Sequence, residues 1–283
     1  MSRPSIAVVG HVEWVRFARV SHIPAAGEIV HARDPFEEPA GGGAVAAVQL
    51  ARLAGHSTLL TALGGDELAS RTLARLGELG VRVHAVTRSE PTRSAVTLVD
   101  DGGERTITTF GERLEALGAD AELPWDAFAR MDAVYFTAGD LLALQAARAA
   151  RVLVANPRAV DALGRGVPID VLVLSAADTV EQEAAARVNA HAEAEVVVST
   201  EGARGGTYRR RGGTGGSWQA VPPPGPVADS YGCGDSFAAG LTYGLAAGMA
   251  PADALRLAAR CGAVCLTGYG PYERQLIMQG GDG

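Results

Sequence analysis

The stretch Asp229-Ser230-Tyr231-Gly232-Cys233-Gly234-Asp235-Ser236-Phe237 puts two glycines and a carboxylate at the start of an apolar helix predicted to run to about Ala247. Free N–H groups at a helix start, together with the helix dipole, create an anion site. Gly232 and Gly234 let that backbone approach a phosphate closely. A carboxylate beside such a site would repel the anion it binds. The combination makes chemical sense if Asp235 accepts the proton of an attacking hydroxyl while the backbone of Gly232, Cys233 and Gly234 neutralises charge on a transferring phosphoryl group. The plainer reading, Asp235 as an ordinary helix N-cap, stands beside it, and spacing alone does not separate the two.

The elements that must position these residues read as an alternation of short apolar strands and helices. Ser5 to Gly10, Ser57 to Leu63, Val81 to Thr87, Ala133 to Phe136, Val152 to Val154, Val171 to Leu174 and Val196 to Val198 are strand-like runs. Helices are predicted over Ala44–Ala54, stopped by Gly55, and Asp66–Leu79, opened by an Asp cap and stopped by Gly80. Such alternation predicts an α/β, doubly wound core with a mostly parallel sheet covered on both faces. Two places break it. Glu13 to Val20 and Glu28 to Arg33 read as strands without an intervening helix, and Ser94 to Val99 and Arg105 to Phe110 flank the hairpin signal Asp101-Gly102-Gly103. These four segments predict a small antiparallel sheet outside the core, inserted at about residues 12–40 and 92–111 of a single domain spanning 1–283. Over the strand ends it would serve as a lid, and its open edge suits a homodimer.

Bulk properties set the limits. The 283 residues are 47% hydrophobic and 20% charged, as in a globular protein with a large core. A net charge of −7 and the lack of a basic stripe argue against nucleic acid; Arg209-Arg210-Arg211 beside Gly212 and Gly213 reads as a solvated turn. No apolar run is long enough to span a membrane. Cys233, Cys261 and Cys265 cannot all pair, and no secretory signal opens the chain, which points to a reducing cytosol. Cys261 and Cys265 share a helix face and read as buried thiols, since no further metal ligand follows at a suitable spacing.

Asp229 to Asp235 resembles the signature of the ribokinase, or PfkB, family of carbohydrate kinases, usually D-T-x-G-A-G-D, with Ser230 for Thr and Cys233 for Ala. Gly41-Gly42-Gly43 and the helix after it resemble the family's N-terminal glycine motif. Val9-Gly10-His11-Val12-Glu13, Pro24 to Glu28, Leu63-Gly64-Gly65-Asp66 and the tail from Ala254 to Thr267 are similar to further family segments, in the same order over essentially the whole chain. The resemblance implies a ribokinase-like fold with a β-sheet lid, ATP near the C-terminal half, the acceptor hydroxyl near the N-terminal half, and Mg²⁺ between the phosphates, with a monovalent-cation requirement left open. It makes Asp235 the base, places Thr200 and Gly202 against nucleotide phosphates, and puts Ser175 on the nucleotide side. There is no G-x-x-x-x-G-K-[ST], so this is no P-loop kinase.

The chain also departs from the family. Where the N-x-x-E motif helps organise Mg²⁺ through water, it has Ser175-Ala176-Ala177-Asp178, so that Asp178 is an indirect metal candidate and Glu181 its substitute one turn later. A sugar-reading Asn is replaced by Ala46, and an Asp near the N-terminus by Glu13, which changes the hydroxyls read. His11 and Trp14 flank Glu13 as substrate contacts or as packing. Asn156 and Asp140 follow strands on the ligand side of the predicted sheet, and equally cap the helices they precede. The expected activity is γ-phosphoryl transfer from ATP to a hydroxyl of a sugar or sugar-like small molecule. A nucleoside kinase, favoured by Trp14 and the missing Asn, and a non-catalytic metabolite sensor, favoured by the altered metal motif, are the alternatives.

Overall fold

The computed structural model describes residues 3–190 and 194–278. Apolar runs of β-branched residues form β1 (Ile6–Val9), β4 (Ser57–Gly64), β5 (Val81–Arg88), β8 (Ala133–Phe136), β9 (Val152–Ala155), β10 (Ile169–Ser175) and β11 (Ala194–Thr200). Together with β12 (Gly206–Arg210) and β13 (Gly215–Trp218) they make, among the described residues, a nine-stranded sheet in the order β13-β12-β11-β10-β9-β8-β1-β4-β5. Its strands are parallel from β11 to β5, while β12 and β13 close one end antiparallel. Arg209 and Arg210, expected in a solvated turn, are exposed residues of β12, paired with Val197 and Val196. The turn follows at Gly213, whose N–H donates to Arg210.

Alternate side chains of each central strand feed two apolar layers. Ile6 and Val8 join a core with α1 (Gly42–Ala54), α2 (Glu67–Glu78), α5 (Cys233–Ala246) and α6 (Pro251–Cys265). Ala7 and Val9 face the opposite core, built with α3 (Leu141–Ala147) and α4 (Thr179–Ala190). The chain runs outward from β1 through β4 and β5, then returns to β8 on the other side of β1. The strand order therefore reverses between β1 and β8, the place where open α/β sheets leave a crevice at their C-terminal edge.

A second sheet, in the order β3-β2-β6-β7, comprises β2 (Glu13–Arg19), β3 (Arg33–Ala40), β6 (Ser94–Val99) and β7 (Arg105–Phe110). It corrects two expectations. The sheet is mixed rather than antiparallel, because β2 and β6 run parallel. Each follows a core strand, β1 and β5 respectively, and those two strands point the same way, so both arms leave the core in one direction. The strand expected over Glu28–Arg33 is also displaced to Arg33–Ala40. Glu28 is spent in a turn, where it accepts from the Ala25 N–H at 3.0 Å. Phe36 of β3 stacks on Phe17 at 4.9 Å and Glu37 meets Arg16 at 2.6 Å, and these contacts fix the register. The base of the β6 arm is held by Asp66, which caps α2 through Ala69 and accepts from the Thr92 N–H at 2.7 Å.

Candidate active site

The turn before α5 is built on a buried carboxylate. Asp229 accepts from the N–H groups of Tyr231 and Gly270, both at 2.8 Å, and burial raises its pKa. Gly232 then takes the left-handed conformation at φ 76°, where a Cβ would also strike Val45 at 2.9 Å. The first helical bond, Ser236 N–H to Gly232 O at 2.8 Å, leaves the amides of Cys233, Gly234 and Asp235 in the first turn, pointing outward from the helix end.

A second helix start meets the first. Gly41, at φ 88°, has its Cβ position 3.1 Å from the His11 ring, and Gly43 lies against the backbone of Gly10 and His11, where a Cβ would stand only 2.7 Å away. A Cβ on Gly42 would lie 3.0 Å from Asp235 Oδ1 and 3.4 Å from the Thr137 hydroxyl. The three glycines thus let the N-terminus of α1 close on the carboxylate at the N-terminus of α5. Two helix dipoles converge on one point, at the reversal between β1 and β8. Tyr231 ties the two turns together by accepting from the Gly41 N–H at 3.4 Å and packing edge-on against Phe17.

Asp235 is half-buried. Desolvation lifts its carboxyl to about 6, opposed chiefly by the charge of Arg158 and less by Arg105, and reinforced by Glu181 and Glu13. His11 is buried and held neutral, at about 3, by burial and by the charges of Arg113, Arg93 and Arg158; its Nδ1 has no hydrogen-bond partner. Glu13 is buried 3.3 Å from Arg93, with its pKa raised by burial against the pull of Arg93, Arg113 and Arg158. Ala46 is fully enclosed in the core beneath the α1 turn. Trp14 packs away from the crevice: its indole N–H donates to Glu37 at 3.1 Å and Arg71 covers its ring at 4.2 Å.

Ser175 and Thr200 end β10 and β11 as register partners, and Gly202 follows in a 3₁₀ turn, Gly202–Arg204, at φ 59°. The Thr200 hydroxyl donates to the Leu174 carbonyl at 3.3 Å. Asn156 caps the short turn Pro157–Ala159 by accepting from the Arg158 N–H at 2.8 Å, while its amide donates to Val173 O. Asp140 caps α3 in the same way through Ala143. Asp178 starts α4, accepting from Val180 and Glu181 N–H at 3.0 and 3.1 Å. Glu181, buried, accepts from the Ser175 N–H at 2.8 Å. Both carboxylates grip the same cation, since Arg158 bonds to Glu181 at 2.8 Å and also to Asp178. Among the described residues no group of three metal-ligating side chains occurs. With their charge already matched by Arg158, Asp178 and Glu181 do not fit a divalent ion held directly by protein.

Sequence reasoning missed Arg158, Arg93 and Thr137. The position of Thr137 directly after β8, on the ligand edge of the sheet, is the signal that could have found it. Arg158 and Arg93 belong to no motif and become visible only through the carboxylates they face.

The sequence profile of the pfkB family carbohydrate kinases matches residues 3–160 and 171–276. A ribokinase of Dictyostelium discoideum is 30% identical over 109 residues, covering 38% of this chain and 34% of the relative. An acarbose 7(IV)-phosphotransferase of Actinoplanes sp. is 39% identical over 100 residues, covering 35% and 33%. The aligned part of the chain thus spans about a third of the length of these curated relatives. The structure of an Arabidopsis thaliana ribokinase complexed with ribose and ATP superposes with a TM-score of 0.71 over 94% of each chain, a likeness of fold at 20% identity.

Proposed function

This chain belongs to the pfkB family of carbohydrate kinases, and from that premise we propose that it transfers the γ-phosphoryl group of ATP to a hydroxyl of a sugar or sugar-like substrate, with Asp235 as general base. The observation that carries this reading is the carboxyl held at about 6 where two helix N-termini meet. A hydroxyl hydrogen-bonded to Asp235 loses its proton to the carboxylate as it attacks phosphorus. The backbone N–H groups at Gly232, Cys233 and Gly234 receive the charge on the transferring group, and being fixed by the fold they need no reorganisation.

The acceptor lies between α1 and the second sheet. Gly41, Gly42 and Gly43 bring the start of α1 up against Asp235 and His11, while Glu13 and the unpartnered His11 Nδ1 read the hydroxyls of the acceptor. ATP runs along the C-terminal edge of the large sheet past Ser175, Thr200 and Gly202; that an Arabidopsis ribokinase of similar fold is complexed with ribose and ATP supports ATP as the donor. Mg²⁺ enters with the triphosphate; no step here depends on a protein ligand to it. The second sheet acts as the lid, excluding water from the crevice.

The test is ADP release from ATP and Mg²⁺ across pentoses, hexoses, inositols, oligosaccharides and nucleosides. Release with a sugar-like acceptor, abolished in Asp235→Asn, supports the reading. Binding of acceptors by thermal shift, with no ADP formed from any of them, would replace it with a metabolite sensor.

A further inference from the structure

We propose that Cys233 and Cys265 are an oxidisable pair, closed to a disulfide by hydroperoxides, and that the closed form switches phosphotransfer off. The consequence for turnover rests on the kinase reading above; the chemistry of the pair does not.

The helix hairpin places the thiols. α5 and α6 pack antiparallel along a seam of small residues: a Cβ on Gly244 would stand 2.8 Å from Ala254, and one on Gly240 2.9 Å from Ala258. Continued in the same register, this seam sets the first residue of α5, Cys233, beside the last residue of α6, Cys265. Both sulfurs hang on the turn that shapes the anion site. Cys265 Sγ lies 3.3 Å from Tyr231 O, and Cys233 Sγ lies 3.9 Å from Asp229 O. The two thiols are neighbours close enough to act on each other's proton, and all three cysteines of the chain are free. Cys261 belongs to another part of the seam, pressed against Gly240.

The pair is asymmetric in its access to solvent. Cys233 is partly open to solvent beside the exposed Gly234, whereas Cys265 is buried. The neighbouring Cys265 sulfur and burial push the Cys233 thiol up, while Cys233 and the Ser236 hydroxyl beside it hold the Cys265 thiol below its usual range. A hydroperoxide reaching Cys233 gives up one oxygen, forming Cys233–SOH and leaving as the alcohol, or as water from hydrogen peroxide. The Cys265 sulfur then attacks the sulfenic sulfur. The S–S bond forms, the S–O bond breaks, and the departing hydroxide takes the thiol proton as water. Two thiols are oxidised by two electrons and the peroxide is reduced.

An S–S bond is ~2.05 Å long, well inside the contact distance of two thiols. Closing it draws the start of α5 toward the end of α6. That start carries the N–H groups of Cys233 and Gly234, and a donor moved by ~1 Å no longer matches the charge it serves.

The test treats the intact protein with hydrogen peroxide, alkylates the remaining thiols after unfolding, and maps the peptides by mass spectrometry. The expected product links Cys233 to Cys265 with Cys261 alkylated, and dithiothreitol reverses it. The linked form should lose at least tenfold in kcat, restored on reduction. In Cys265→Ala, basal turnover should persist, no link should form, and Cys233 should stop at a dimedone-reactive sulfenic acid. Full alkylation of both Cys233 and Cys265 after oxidation overturns the pair, as does a link through Cys261. A Cys233–Cys265 link that leaves kcat unchanged overturns the switch. Because the link is read by mass, failure of the kinase assay itself would be seen in the reduced protein and would count against the kinase reading instead.

Discussion

At the scale of single residues, Asp235 combines a cost with its proposed function. Its carboxyl is raised from 3.8 to about 6 by burial, so the folded protein holds the proton more tightly than the unfolded chain does. The ionised form is therefore penalised. Stability falls as pH rises from about 4 through 6, and above that range the penalty is complete, on the order of 3 kcal/mol at ~1.4 kcal/mol per pKa unit. Asp235→Asn should melt a few degrees above wild type at pH 7.5, the gap closing at pH 4, while kcat falls by about 10²–10⁴. A variant that melts lower at pH 7.5 would show that burial is not what raises the carboxyl. For the wild type, kcat/KM should climb with pH through about 6 and then level, because the proposed base works ionised. Glu13→Gln keeps the shape of that side chain and removes its charge. We expect acceptor KM to rise by about tenfold to a hundredfold, the worth of a hydrogen bond to a charged group, with ATP KM unchanged in steady-state kinetics. The turn around Asp235 was legible because its parts are local: glycines, helix start and carboxylate are neighbours in the chain. Arg158 was illegible because its partners, Asp178, Glu181 and Asp235, are distant in sequence and only the parallel strands bring them together.

At the scale of elements, the parallel strands and the helices on them were readable because each carries its own period and its own caps. β3 was not. Arg33–Ala40 contains Pro35, Pro39 and two glutamates, and Asp34 sits at φ 48°. Nothing in that composition says strand. It is an edge strand, where prolines cost no ladder bond, and its partners lie elsewhere: Phe17 on β2, and Arg71 and Arg75 on α2, which pair with Glu37 and Glu38. The glycines that start α1 give a sharper test of how elements set the site. Gly43→Ala drives a Cβ into backbone at 2.7 Å, which neither strand nor helix can yield, so this variant should be destabilised enough to lower Tm strongly or fail to fold. Gly42→Ala meets instead the side chains of Asp235 and Thr137, at 3.0 and 3.4 Å, and these can turn aside. It should fold with a Tm near wild type and lose at least tenfold in kcat, because Asp235, the proposed base, is what moves. Equal loss of stability in the two variants would show that α1 is not shaped around Asp235.

At the scale of the molecule, the balance of charge and the placing of the two sheets explain how the crevice can serve a polyanion. The chain carries a net charge of −7, yet Arg93, Arg113 and Arg158 all act on Glu13 and His11, and Arg105 and Arg158 act on Asp235. Local positive charge of this kind, not the net charge, governs how a phosphate-bearing ligand is drawn in. Two of these arginines lie in the second sheet and its approach: Arg105 starts β7 and Arg93 precedes β6. Arg105 donates to the Ser230 hydroxyl at 2.9 Å, and the Ser230 N–H donates to Gly103 O at 3.2 Å, so the hairpin tip rests on the signature turn itself. β7 is otherwise exposed along its length. An element held at its tip and open along its edge should exchange its amides readily until something fills the space beneath it. In hydrogen exchange followed by mass spectrometry, residues 105–110 should therefore exchange fast in the free protein and slow by at least tenfold with a non-hydrolysable ATP analogue and an acceptor together. β1, β8 and β9, buried in the middle of the large sheet, should be protected with or without ligand. Protection of 105–110 already complete in the free protein would make the second sheet a fixed wall. Slowing by the nucleotide alone would place the closure under control of ATP, with the acceptor entering a crevice already shut on one side.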